Sequence, residues 1–185
     1  MTGFEAPAGT PWRELDSSAC SIARTMGVLG DPWTMLVVRD LLHGIRRFDD
    51  LVTHLGIARN VLTRRLAGLI DAGMVHAVDY REPGRRTRKE YRLTPAGQDL
   101  RPVLLALLAY GDRHRADGGP PIVPEHAGCG GAVHLDTVCE HGHRIGPDDR
   151  VRSTLGPGAR RRSGDRTGQT VRRAQTVNDG DDVTR

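Results

Sequence analysis

The stretch FDDLVTHLGIARNVLTRRLAGLIDAG, Phe48–Gly73, decides the fold. Phe48, Leu51, Val52 and Leu55 recur at helical spacing and predict a brief helix that stops at Gly56. After Gly56-Ile57, residues Ala58 to Ala72 carry Val61, Leu62, Leu66, Leu69 and Ile70 on one face. Gly73 then suits the left-handed backbone that ends many helices. Two short helices joined by a few residues, the second amphipathic with a polar outer face, are the sequence form of a helix-turn-helix.

Upstream, Asp16-Ser17-Ser18 supplies N-cap chemistry for a helix bearing Ile22, Met26 and Leu29. Gly30-Asp31-Pro32 ends it, and Asp31 with Pro32 opens the next helix. There Trp33, Leu36, Val37, Leu41 and Leu42 form an apolar stripe up to Gly44, and Arg46-Arg47-Phe48 is a short extended link. Downstream, Val75–Arg81 alternates apolar and polar residues, Glu82-Pro83-Gly84 turns, and Lys89–Leu93 returns as a second strand. Thr94-Pro95 caps one long last helix with Leu100, Val103, Leu104, Leu107 and Leu108 on one side. The expected architecture is mainly α, an α+β winged helix with flanking helices over residues 16–117.

Outside that domain, residues 1–15 read as a flexible arm and Gly118-Gly119-Pro120-Pro121 as a linker. Residues 122–151, with two Cys/His clusters, are expected as a small ribbon-like module. Residues 152–185, rich in Gly and Arg and without periodicity, are expected to be disordered. The net charge of +4 belongs to that tail, since Met1–Asp149 holds 18 Lys/Arg against 19 Asp/Glu and Arg150–Arg185 holds 9 against 4. Charge therefore has to be judged where it clusters. Met1–Leu15 has no apolar signal core and no later run approaches a membrane span, which points to the cytoplasm, in association with the nucleoid.

One cluster stands out. Arg81, Arg85, Arg86, Arg88, Lys89 and Arg92 crowd the hairpin directly after the helix-turn-helix, against Glu82 and Glu90. A basic hairpin tip can follow a phosphate backbone or enter the minor groove beside a helix in the major groove. On the second helix, the face opposite the leucines presents Arg59, Asn60, Thr63, Arg64 and Ala67. Arg and Asn can read guanine and adenine edges in pairs of hydrogen bonds, Thr can meet a thymine methyl, and Ala67 permits close approach. Arg46, Arg47 and Arg65 are better suited to phosphates. The expected partner is double-stranded DNA. A solvated helix face and a polar hairpin are the plain alternative for any single arginine.

The segments Cys20–Ala23, Leu29-Gly30-Asp31-Pro32-Trp33-Thr34 and Leu41–Phe48 closely resemble the HxlR family of MarR-like winged-helix regulators. Val61–Leu66, Asp71–Val75 and Glu90–Gly97 add to the resemblance, which covers roughly Ser18 to Arg115. It implies a winged-helix fold, a homodimer through the first and last helices, and a near-palindromic operator. Ala58-Arg59-Asn60 departs from the Ser cap that relatives often place at the start of the reading helix. The residues support a dimer independently: Leu100–Leu108 offers more apolar surface than a small core needs, unless that helix folds back on its own domain.

Two further sites are expected. Cys20 falls in the first turn of its helix, where the dipole favours thiolate. The resemblance implies that a cysteine here serves some relatives as a sensor of oxidants, quinones or electrophiles; the alternative is a small packing residue. His126-x2-Cys129 and Cys139-x-His141-x-His143 offer two N/S pairs, enough for a tetrahedral zinc site with either His141 or His143 completing it. Some resembling regulators carry a ribbon here with a Cys-x2-Cys second pair, which is broken in this chain, and a metal-free module is the alternative. His43, His54, His76, His114 and His134 read as structural.

No nucleophile elbow, Walker loop, dinucleotide fingerprint or paired-carboxylate motif occurs, so no enzyme activity is expected. A sequence-specific DNA-binding regulator, most simply a repressor, is the leading reading. A winged-helix adaptor for other proteins is the second, and six gathered cations argue against it. A thiol redox protein lacks the Cys-x-x-Cys pair it would need.

Overall fold

The computed structural model describes residues 4–5, 12–84 and 86–162. At its centre lies a helix, α2 (Pro32–Leu42), packed by neighbours on several sides. Asp31 starts it by accepting the Trp33 N–H at 3.0 Å, and Pro32 fills the first position, where a missing N–H costs nothing. Val37, Val38 and Leu41 are buried, and so are Thr34 and Asp40. The expected stripe along α2 omitted Val38 and Asp40 because it supposed one buried face. α2 instead meets α1 (Ser21–Leu29), α3 (Phe48–Leu55), α4 (Arg59–Asp71), β3 (Arg88–Leu93) and α6 (Arg101–His114). The buried Asp40 carboxylate is fully engaged: Arg39 donates to one oxygen at 2.8 Å and His54 Nδ1 lies 2.6 Å from the other. Pairing is what makes a buried carboxylate tolerable.

α3 and α4 form the helix-turn-helix. Gly56, at φ +62°, ends α3 in left-handed backbone, and Ile57 in the turn is buried. Leu62, Leu66 and Leu69 of α4 go into the core with Leu51 and Val75, each full burial contributing about 1.5–3 kcal/mol. Ile70, expected on the same face, is partly exposed at the rim. β2 (Val75–Tyr80) pairs antiparallel with β3, in register from Val75↔Leu93 to Tyr80↔Arg88. The extended link joins this sheet as a short edge: Arg47 bridges Glu90, and the Tyr91 N–H donates to the Arg46 carbonyl at 2.8 Å.

Two expectations change in detail. Asp16-Ser17-Ser18 caps a separate 3-10 turn, Ser17–Ala19, so α1 begins later, with Cys20 as its N-cap rather than in its first turn. Ser18 donates its hydroxyl and N–H to the Asp16 carboxylate at 2.7 and 2.9 Å. Those bonds, aided by the charges of Arg160 and Arg162, hold that carboxyl below the usual carboxylate range. The single last helix is in fact two, α5 (Pro95–Gln98) and α6, broken at Asp99-Leu100. Pro102 explains the break, because its ring would meet the carbonyl of Gln98 four residues earlier.

The segments expected to be a free arm and a disordered tail meet each other. β1 (Phe4–Glu5) pairs parallel with β4 (Val151–Arg152), and Leu15 bridges Arg161. The Asp16 N–H donates to the Arg160 carbonyl at 2.9 Å, and Arg162 N–H to the Glu14 carbonyl at 2.8 Å. The rest of the expected tail, 163–185, lies outside the described residues. Among those that are described, no helix is long and apolar enough to cross a membrane.

Gly97 fixes α5 against the end of the hairpin. A Cβ there would stand 2.2 Å from the Met74 carbonyl oxygen and 2.8 Å from a Leu93 methyl. Thr94 completes the lock, donating its hydroxyl to the Gly73 carbonyl at 2.7 Å while accepting the Gly97 N–H at 3.2 Å. Gly97→Ala is therefore expected to lower unfolding stability by about 1–3 kcal/mol in urea titration. An unshifted midpoint would show that α5 yields freely.

Candidate nucleic-acid interface

The polar face of α4 is open along its length. Arg59, Asn60, Thr63, Arg64 and Ala67 are all exposed, while Leu62, Leu66 and Leu69 hold the opposite face in the core. α4 starts from Ala58 without a side-chain cap, as the missing Ser implies. Asn60 partly compensates, its amide oxygen accepting the Val61 N–H at 2.8 Å. Thr63 donates its hydroxyl to the Arg59 carbonyl at 2.9 Å.

The turn end of the hairpin lies beside the start of α4. Phe48, Asp49, Arg59, Tyr80, Tyr91 and residues 86–89 enclose a cleft of about 360 Å³. Four cations (Arg59, Arg86, Arg88, Lys89) face one carboxylate there. Asp49 receives Arg59 at 2.9 Å and Arg88 at 3.5 Å, and the Arg59 guanidinium lies over the Phe48 ring at 4.9 Å. Burial pushes the Tyr91 phenol above its ordinary pKa, so it stays neutral at working pH. Arg47 pairs with Glu82 at 2.8 Å and lies over Tyr80 at 4.8 Å.

The cations expected at the interface therefore divide. Arg46, Arg47, Arg59, Arg64, Arg81, Arg86, Arg88 and Lys89 are exposed. Arg92 is exposed too, and like Arg47, Arg59 and Arg88 it is paired with an acid, Glu90 at 2.6 Å. Arg65, expected at a phosphate, turns instead toward the domain and pairs with Asp31 at 2.6 Å, both side chains about 30% exposed. Its spacing along α4 puts it between the reading and core faces, and only the position of Asp31 decides which way it goes. Arg85 lies outside the described residues. Asp49 is the residue that sequence reasoning missed: an acid in the first turn of a helix reads as a partner for the dipole, and nothing local reveals that it meets the wing.

Away from this face, Cys20 is half-buried and lines a cavity of about 550 Å³ with Trp12, Leu15, Ile22, Ala23 and the returning segment at Gly156–Arg160. The five expected metal ligands fall into two pairs rather than one group. His126 Nδ1 is 3.3 Å from Cys129 Sγ, and His143 Nδ1 is 3.6 Å from Cys139 Sγ. His141 stands apart, paired with Glu140 at 3.5 Å. Among the described residues, no three His, Cys, Asp or Glu side chains gather around one point.

The sequence profile of HxlR-like helix-turn-helix proteins matches residues 28–118. The chain is similar to Rv3095 of Mycobacterium tuberculosis, named as an uncharacterised HTH-type transcriptional regulator. The two are 37% identical over 122 residues, covering 65% of this chain and 76% of that one. It is also similar to the crystal structure of PA1607, a candidate transcription factor, with a TM-score of 0.63 and 33% identity over 71% of this chain and 93% of that one. A second candidate transcription factor, PA1374 from Pseudomonas aeruginosa, gives a TM-score of 0.52 and 35% identity over 75% of this chain and 93% of that one.

Asp49→Asn tests how the cleft works. Freeing Arg59 and Arg88 is expected to tighten binding to scrambled duplex DNA by about two- to fivefold and to steepen its salt dependence. Fluorescence anisotropy across a salt series measures both. An unchanged slope would place Asp49 away from phosphate.

Proposed function

The chain belongs to the HxlR-like helix-turn-helix family of transcriptional regulators, and from that premise we propose that it is a homodimeric repressor reading a near-palindromic operator. It is a regulator and not an enzyme, as its family is. The open polar face of α4 beside a cationic wing carries the reading. Arg59, Asn60, Thr63, Arg64 and Ala67 meet base edges in the major groove, while Arg46, Arg47, Arg81, Arg86, Arg88 and Lys89 hold the register on phosphates. A dimer bound at the nucleoid over a promoter represses by occupancy alone, without a further contact.

Exposed apolar side chains support the homodimer. Ile22 and Met26 on α1 are 75% and 53% exposed, and Leu107 and Tyr110 on α6 are 53% and 60% exposed. So much apolar surface on the first and last helices of the domain is costly in water, and a second copy related by a two-fold axis covers it. Two reading helices placed this way need half-sites about 34 Å apart, one turn of DNA.

Purified protein titrated by anisotropy onto DNA from upstream of its own gene tests the proposal, with scrambled DNA of equal length as competitor. Discrimination of about a thousandfold or more is expected in physiological salt. Equal, steeply salt-dependent binding to both would leave phosphate contacts only. No binding to either would favour a protein-binding adaptor.

The regulatory signal acts at Cys20. That residue lines an open, largely apolar pocket at the start of α1, so modification there disturbs the helix proposed to carry the dimer. Diamide or a quinone is expected to release the protein from operator DNA, and Cys20→Ser to abolish that release while leaving basal affinity unchanged. Release persisting in Cys20→Ser would assign the response elsewhere.

A further inference from the structure

The segment after α6 is held by very little. Val133, Leu135 and Val138 are 36%, 49% and 56% exposed, and Cys129 and Cys139 are free thiols, so neither an apolar core nor a disulfide fixes it. Chain pieces this small usually need a cross-link or a metal to keep one conformation. Yet it contains two defined turns built alike. In the first, Glu125 bridges Ala132, and the N–H groups of Cys129 and Gly130 donate to the His126 carbonyl at 3.1 and 2.8 Å. In the second, Val138 bridges Arg144, and the Gly142 N–H donates to the Cys139 carbonyl at 2.9 Å. Gly130 at φ +69° and Gly142 at φ +80° supply the left-handed residue that each turn requires.

We propose that the two turns form a zinc site of His126, Cys129, Cys139 and His143, with His141 left out. Each turn brings one imidazole nitrogen and one sulfur together, at 3.3 and 3.6 Å. Zn–N and Zn–S bonds of about 2.0 and 2.3 Å at tetrahedral angles put such ligands about 3.5 Å apart, so each pair already spans one edge of the coordination tetrahedron. Small residues line both donors of the first turn: a Cβ on Gly128 would stand 2.9 Å from the His126 ring, and one on Gly131 3.4 Å from the Cys129 sulfur. His143 rather than His141 faces Cys139, since His141 is 74% exposed and paired with Glu140. Two thiolates neutralise the dication, and two imidazoles complete a closed, structural site. The pairs do not yet share a point in space, so the ion itself draws the turns together and supplies the energy that apolar burial does not.

The test is independent of DNA binding. Untagged protein, purified without added metal, is assayed for zinc by mass spectrometry. After stripping, it is reconstituted with Co²⁺, whose absorption distinguishes tetrahedral sulfur–nitrogen ligation from octahedral. One zinc per chain is expected, lost in Cys139→Ser and His143→Ala and kept in His141→Ala. The stripped protein should be cut by protease within 122–150 while the winged helix melts unchanged. Metal-free protein that resists protease there, an octahedral cobalt spectrum, or loss of zinc in His141→Ala with retention in His143→Ala would each overturn the assignment.

Discussion

The reading helix is oriented by one carboxylate with two tasks. One oxygen of Asp31 caps α2, and the other holds Arg65 of α4 at 2.6 Å. α2 is the element around which the core assembles, so tying α4 to its first turn transfers the rigidity of the core to the face proposed to meet DNA. The pair is only partly exposed, which spares it some of the screening that makes surface ion pairs weak. Among the described residues, Arg65 Nε has no hydrogen-bond partner, so the geometry of the pair is kept at some cost to its other donor.

The same economy governs the outer face. Arg59 lies between the Asp49 carboxylate and the Phe48 ring, and Arg47 between Glu82 and Tyr80. Long arginine side chains lose much rotamer freedom when they bind, and holding them beforehand reduces that loss. The acids that hold them also weaken their pull on phosphate. Positioning is thus obtained at the expense of raw attraction, which favours discrimination between sequences over tight binding to any DNA.

The helix-turn-helix and its hairpin were legible because their signals are local: helical spacing over Phe48–Leu55 and Val61–Leu69, glycine at Gly56 and Gly73, and apolar–polar alternation after Val75, interrupted at Ala77-Val78. The exposed face of α4 followed from the buried one. What escaped was set by distant residues. Helical spacing puts Arg65 at the border of the exposed face that carries Arg64, and only the position of Asp31 turns it inward. Asp16 reads as the start of a helix, but the chain turns again at Cys20 before α1 begins. The split between α5 and α6 was local after all, written in Pro102, and the continuous leucine spacing obscured it. The pairing of β1 with β4 has no local signature, because it joins two-residue strands from opposite ends of the described chain.

That pairing orders events in time. Closing a loop around almost the whole described chain costs more entropy than any contact within the winged helix, and two short strands return little for it. Contacts of this kind form late in folding and open early. The winged helix can therefore exist before the segment at Gly156–Arg160 has come back beside Cys20, and can outlast its departure. Exposure of the thiol becomes a matter of how often that closure breathes, an equilibrium set by weak bonds at the margin of the fold and separable from the stability of the core.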